Sequence, residues 1–283
     1  MRGAMYHSMQ GGKAHCRLCP HRCVVPEGKR GLCLARINTD GAFYAEGFGR
    51  ITSIALDPIG KKPLLHFHPG SLVLSLGSYG CNFRCAYCQN HGISTKEARW
   101  QALSPEQAAA LSLEHAPRGN IGLAYTYNEP LVGYEYVREC AALIRGQNQL
   151  NVLVTNGYVN PEPLGALLPY IDAVNIDLKG FSHRFYQEIG GSLEPVKAAI
   201  SACARACHVE VSALIVPGKN DGEEEMESMA KWLSCIDSAI PLHIARFFPR
   251  YKMGSLSPTP IQTLRSLSVI AEKHLQYVHL GNC

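Results

Sequence analysis

From residue 72 onward the chain alternates between two kinds of segment. Short apolar runs stand at Leu72–Leu76, Ile121–Tyr125, Val152–Thr155, Ala173–Ile176, Val209–Ile215 and Leu242–Ala245. Runs this uniformly apolar read as strands buried on both faces, as in a parallel sheet. Helical patterns begin at Ser104-Pro105 and cover Pro130–Ile144, Pro161–Leu168, Leu193–Ala206, Glu223–Cys235 and Pro260–Lys273. Ser104-Pro105-Glu106-Gln107 supplies an N-cap serine, a proline at the first helical position and a glutamine placed for a capping box. Alternation of this kind requires parallel strands flanked by helices. Six units are too few for the closed eightfold barrel. The expected fold is α/β, a partial (β/α)6 TIM-like barrel, and a doubly wound sheet is the alternative that the pattern leaves open.

Residues 1–71 are different. They are rich in Cys, Gly, Pro and His, with short β-like pieces at Ala42–Ala45 and Ile51–Leu56. They are expected to form a small Cys-rich N-terminal lobe packed on a barrel of residues 72–283. Within it Cys16, Cys19, Cys23 and Cys33 follow the spacing C-x2-C-x3-C-x9-C. Four thiolates suffice to close a tetrahedral zinc site or to hold an auxiliary [4Fe–4S] cluster, and the spacing leaves both open. His15, His21, His66 and His68 are substitute ligands in the same region. Cys140, Cys203, Cys207 and Cys235 fall in expected helices and read as small buried apolar side chains.

The chemistry gathers where each expected strand ends, which is the rim that carries catalytic groups in barrels of this kind. The first strand runs into Cys81, Cys85 and Cys88, spaced C-x3-C-x2-C. Three thiolates can hold three irons of a [4Fe–4S] cube and leave the fourth iron open to a ligand. Half of a zinc site is the other reading, but no fourth ligand lies nearby in sequence. Tyr127-Asn128-Glu129-Pro130 ends the second strand, Asn156-Gly157 the third, Asp177-Leu178-Lys179 the fourth, Pro217–Asp221 the fifth and Arg246-Phe247-Phe248 the sixth. Arg246 and Lys252 are candidates for substrate contact. Gly77, Gly80, Gly157 and Gly218 either admit a ligand close to the backbone or only make turns.

The segment CNFRCAYCQN resembles the signature of the radical S-adenosylmethionine (SAM) superfamily. That resemblance implies the partial barrel, a [4Fe–4S] cluster on Cys81, Cys85 and Cys88, and SAM bound at the open iron. It implies reductive cleavage of SAM to a 5′-deoxyadenosyl radical that abstracts hydrogen from a substrate. YTYNEP, TNGY and NIDLKG resemble the glycyl-radical-enzyme-activating branch typified by pyruvate formate-lyase activating enzyme. Carried over, that likeness puts Asn156, Asp177 and Lys179 beside SAM. Glu129, with Asn128 before it, is expected to meet the methionyl ammonium, its alternative being a helix N-terminal carboxylate that answers the dipole. No residue is assigned a catalytic role beyond those that hold cluster and SAM.

CRLCPHRC, GKRGLC, DPIGKKPLLHFHPGS, GCNFRCAYCQN, YTYNEP, LIVPGKND and ARFFPRYKM, in this order, resemble the radical SAM enzyme of the AmmeMemoRadiSam system. Two departures stand out. Phe248 occupies the place where that family commonly has His, and the chain stops at Cys283, where members usually continue past Gly-Asn. The substrate, a small molecule or a protein, is not specified by the resemblance. A glycyl-radical-enzyme activase is one alternative, and a non-enzymatic iron–sulfur or zinc binding protein is another. Radical chemistry implies an electron donor such as flavodoxin or ferredoxin.

A net charge of +4 without a basic run gives no reason to expect nucleic acid. No apolar stretch suits a membrane span, and the first fifteen residues lack the apolar core of a signal peptide. The twelve cysteines, clustered at short spacings, fit ligation in a reducing cytoplasm better than disulfides.

Overall fold

A computed structural model describes residues 1–283. Its main sheet has eight strands: β1 (Ser53–Pro58), β2 (Leu72–Gly77), β3 (Asn120–Tyr125), β4 (Leu150–Thr155), β5 (Ala173–Asp177), β6 (His208–Ile215), β7 (Leu242–Arg246) and β8 (Val278–Gly281). They lie side by side in sequence order. The pairs from β2 to β8 are parallel, and β1 is antiparallel to β2. A doubly wound sheet reverses its strand order at a switch point. This sheet never does, and no ladder joins β1 to β8, so it is a partial barrel.

Each parallel crossover carries a helix: α1 (Pro105–Glu114), α2 (Tyr134–Gly146), α3 (Pro161–Leu167), α4 (Leu193–Ala204), α5 (Glu223–Asp237) and α6 (Ile261–Ala271). The capping box expected at Ser104 and Gln107 forms with both reciprocal bonds. Pro130–Gly133 is a 3₁₀ turn leading into α2 rather than part of it. The two outermost strands are β1, drawn from the segment expected in the N-terminal lobe, and β8, whose sequence VHLG carries little strand signal. No helix is long and apolar enough to cross a membrane.

The two faces of the sheet differ in chemistry. Leu123, Leu153, Val174, Val211 and Ile244 pack outward into the large core shared with the helices. On the opposite face Val73, Ala124, Val152 and Ala173 make a small apolar floor with Ile59 and Leu64. Above that floor the inward positions are small or polar: Ser75 pairs with Ala124, Asn175 with Glu210, and Ser212 with His243. A closed barrel fills this space with bulky branched side chains. Here small and polar side chains stand in their place.

In the N-terminal lobe two small antiparallel sheets are built from Arg2–Gly3, Ala42–Ala45 and Arg36–Thr39, and from His7–Gln10, Lys13–Cys16 and Val24–Val25. The lobe docks through Arg36, which pairs with Glu135 of α2 at 2.7 Å, both nearly inaccessible. Arg36 Nη2 reaches both Glu135 oxygens, at 2.8 and 2.7 Å, and Glu135 also accepts from the Met5 N–H at 2.6 Å. Removing one partner of such a pair strands a buried charge, which typically costs about 3–5 kcal/mol. The attachment is shared with other contacts, among them Asn160 Nδ2 on the Arg17 carbonyl at 2.7 Å.

Candidate cofactor site at the strand ends

Strand β2 ends at Gly77, and four residues later the chain reaches Cys81. The approach is held by Asn128 at the end of β3, which accepts from the Ser78 N–H at 3.0 Å and donates to the Gly80 carbonyl at 3.0 Å. Gly80 has φ +88°, and a β-carbon there would lie 2.2 Å from the Cys33 carbonyl oxygen. Glycine is required twice over, by conformation and by the close approach of the N-terminal lobe. Asn128 is thus an internal brace for the cysteine loop.

Cys81 is half-buried, Cys85 buried and Cys88 half-buried, and none of the twelve cysteines forms a disulfide. The Cys81 sulfur receives the Phe83 N–H at 3.3 Å and Asn156 Nδ2 at 3.8 Å. Burial pushes the Cys81 and Cys85 thiols up, and the Lys179 ammonium pulls Cys85 back down. Thiols in such surroundings ionise only with a cation beside them, and iron supplies one. N–H groups aimed at a ligating sulfur also tune a cluster's potential. The donor set therefore fits the cube, although no set of three or more Cys, His, Asp or Glu side chains converges to metal-binding geometry.

Glu129 is 3% exposed. Its Oε1 accepts from the Leu131 N–H at 3.0 Å and the Thr155 hydroxyl at 2.7 Å, and Oε2 accepts from the Asn156 N–H at 2.7 Å. Burial pushes its pKa up to about 7 even though all three donors favour the anion. The carboxylate caps the 3₁₀ turn and joins the ends of β3 and β4. A carboxylate offers about four acceptor positions, so one remains on Oε2. Asn156 is fully engaged: its Nδ2 also reaches Asn82 Oδ1 at 2.8 Å, and its Oδ1 accepts from the Tyr158 N–H at 2.9 Å.

Lys179 and Asp177 form an ion pair of 2.6 Å at the end of β5. Burial alone would lower the lysine's pKa, but Asp177 and then Cys85 outweigh it and hold the ammonium charged. The cation therefore faces the cysteine loop. Tyr186, from the short helix His183–Glu188 that the sequence pattern did not suggest, supplies the hydroxyl that meets the Lys179 N–H at 3.2 Å. Arg246 donates to the Thr259 carbonyl at 2.8 Å and lies over the Phe248 ring, and the exposed Lys252 is tied to the loop by its own N–H on Ala86 O.

Cys16, Cys19, Cys23 and Cys33 line one cavity with His21 and Asn82. Burial pushes Cys19 up to about 12 and Cys33 up to about 11. His21 Nε2 lies 2.7 Å from the Asn82 carbonyl, so this cavity and the Cys81 loop share a wall. His15 is not part of that lining. His66 and His68 lie elsewhere: His66 sits under the barrel against His279, and His68 is exposed beside Phe67. They do not stand in for ligands of the N-terminal cysteines. Cys140 and Cys203 are buried as expected; Cys207 lies just past the end of α4 and Cys235 is exposed on α5.

A family model described as the radical SAM superfamily matches residues 76–233. An uncharacterized protein of Methanocaldococcus jannaschii is 39% identical, across 100% of this chain and 85% of that relative. A GTP 3′,8-cyclase of Haemophilus influenzae is 25% identical over 69% of the chain and 58% of the enzyme. Among solved structures, a radical SAM methyltransferase from Sphaerobacter thermophilus superposes with a TM-score of 0.59 at 13% identity, covering 76% of this chain and 67% of that one. Streptococcus suis SuiB bound to S-adenosylmethionine superposes with a TM-score of 0.56 at 13% identity, covering 72% and 48%. At such identities the structural likeness speaks to the fold alone.

Proposed function

The chain belongs to the radical SAM superfamily, and from that premise we propose that Cys81, Cys85 and Cys88 hold its [4Fe–4S] cluster and that SAM binds on the same rim. When bound, cluster and SAM supply the one-electron cleavage that generates a 5′-deoxyadenosyl radical. The chain's own residues position and balance charge. Asn128 and Gly80 fix the approach to Cys81. Phe83 and Asn156 direct N–H groups at its sulfur. Asp177 and Lys179 offer both signs of charge to a ligand that carries an ammonium and a carboxylate. Glu129 keeps one acceptor position for the ammonium. The observation that carries the reading is the meeting of the Cys81–Cys88 loop with the Lys179 cation and Asn156 at one rim.

The same proposal covers the finer points. The order of motifs favours the AmmeMemoRadiSam-type enzyme, acting on a small molecule or protein and reduced by a flavodoxin or ferredoxin in the cytoplasm. The lobe of residues 1–71 carries a second metal, zinc or an auxiliary [4Fe–4S] cluster, on Cys16, Cys19, Cys23 and Cys33, and it contributes β1 to the barrel of residues 72–283. Anaerobic reconstitution tests the core of the reading. Reduced wild type is expected to give an iron–sulfur electron paramagnetic resonance signal that changes when SAM is added, and Cys85→Ala to lose the SAM-responsive part of it. A wild-type signal unchanged by SAM, or a SAM response retained in Cys85→Ala, would remove the assignment.

A further inference from the structure

The motif DPIGKKPLLHFHPGS is not used by the rim. Its middle forms the floor of the barrel, and beneath β6, β7 and β8 its His66 joins His208, His243 and His279 in a group beside one carboxylate, Glu210. Glu210 of β6 is fully buried. Its Oε2 accepts from the Leu65 N–H at 3.0 Å and lies 2.6 Å from His243 Nε2. Its Oε1 accepts from the His66 N–H at 2.8 Å and lies 2.9 Å from His208 Nε2. Burial alone would raise its pKa, but these partners hold it at about 2. All its acceptor positions are spent, so Glu210 stays an anion and has nothing left for a further proton donor.

The outer end of this group is different. His66 Nε2 lies 2.8 Å from His279 Nε2. His66 belongs to the floor segment, and His279 belongs to β8, where it pairs with His243. One imidazole must donate and the other accept, so the contact needs at least one neutral ring. With both rings protonated the lone pair is gone and two cations face each other. The groups packed around the contact do not relieve this. His243 faces His279 with ring centroids 5.3 Å apart, Tyr277 lies against His66 at 4.5 Å, and Phe67 separates His68 from His208. Glu210 is saturated as an acceptor, and its charge, which favours a protonated His279, is outweighed by burial, His243 and His66.

The position in the fold gives this contact leverage. β1 and β8 are the free edges of the sheet, and no ladder joins them. The floor segment leaves β1 and crosses to β8, where the two imidazoles meet. We propose that His66 and His279 form a pH-sensitive clasp across the open side of the barrel, closed while one imidazole is neutral and released when both are protonated. Burial, then His243 and His66, lower the pKa of His279. A histidine kept neutral in this way stabilises the fold above its ordinary value, and that contribution is lost as the pH falls below it. Release loosens the segment that also carries Lys62, whose ammonium pairs with Asp57 at 2.7 Å and sits over the Tyr127 ring at the foot of the cofactor rim.

Hydrogen exchange of the full-length, anaerobically reconstituted protein tests the clasp, with rates corrected for intrinsic pH dependence and compared at about pH 7.5 and about pH 5.5. Protection of residues 62–68 and 277–281 is expected to fall on the order of tenfold at the acid value, with β4 unchanged. His279→Gln and, separately, His66→Gln keep a polar group of similar reach that does not titrate, and each is expected to remove the pH dependence. Equal wild-type protection at both values overturns the proposal, and so does a variant that folds and keeps the wild-type response. Added Zn²⁺ that protects both segments at the higher pH, and fails to do so in His279→Gln, makes the pair metal ligands and overturns it as well. If neither variant folds, the wild-type comparison alone decides.

Discussion

Glu129 braces the ends of β3 and β4, and this structural role and its proposed role in binding SAM predict different responses to pH. Burial sets its pKa at about 7, so the ionised fraction rises from about one tenth at pH 6 to about nine tenths at pH 8. A ligand whose ammonium takes the remaining position on Oε2 binds the anion and lowers that pKa. Affinity should then rise with pH, by about tenfold across this range, or ~1.4 kcal/mol. Glu129→Gln is the matching perturbation. It removes the charge and turns an amide toward one of the three internal donors, a loss of about 1–3 kcal/mol in stability. SAM carries a titrating amine of its own, so the informative quantity is the ratio of wild-type to Glu129→Gln affinity. Anaerobic equilibrium dialysis or calorimetry on cluster-loaded protein supplies it. The ratio is expected to grow about tenfold from pH 6 to pH 8. A ratio that stays flat would show that Glu129 only caps the 3₁₀ turn and joins β3 to β4, and its place in the SAM site would have to be given up.

Two further outcomes can be checked with the same preparations. Lys179→Ala removes a charge-assisted contact of the kind worth about 1.5–3 kcal/mol, so SAM affinity should fall roughly ten- to hundredfold while iron and sulfide content hold; unchanged affinity would leave Lys179 as a rim ion-pair partner of Asp177. In a protein lacking Cys81, Cys85 and Cys88, metal analysis should still find a bound species on the N-terminal cysteines, zinc for a structural site or iron with sulfide for an auxiliary cluster, and the absence of both would refute the four-ligand reading.

Much of the barrel was legible in the sequence because its parallel strands are buried on both faces. Leu74, Leu76, Val152 and Ile176 are apolar whichever way they point, so the runs stand out from the helices between them. The flanking strands were harder to see. β1 reads SIALDP rather than uniformly apolar and has only one neighbour, and β8 alternates His and Gly with Val and Leu at an edge. The short helix that delivers Tyr186 has a serine cap at Ser182 but only two buried apolar positions, too few for periodicity to register. At the site, residue types and strand ends located Cys81, Glu129, Asn156 and Lys179, because rim position follows from strand order. What each side chain is bonded to does not follow from that order. The brace made by Asn128, the three donors on Glu129 and the Asn82–His21 link to the lobe arise from contacts between residues far apart in the chain. His66 shows the reverse error. Its neighbourhood in sequence suggested the N-terminal cysteines, while the crossing of the floor segment carries it to β8.

The claim on which the account rests is that the three cysteines after β2 support reductive cleavage of SAM. Its most direct test is the yield of 5′-deoxyadenosine from SAM and dithionite under anaerobic conditions, measured for reconstituted wild type and for the Cys81/Cys85/Cys88→Ala variant with its N-terminal cysteines intact. The account predicts product from the wild type and none above the protein-free background from the variant. Equal product from both proteins would contradict it.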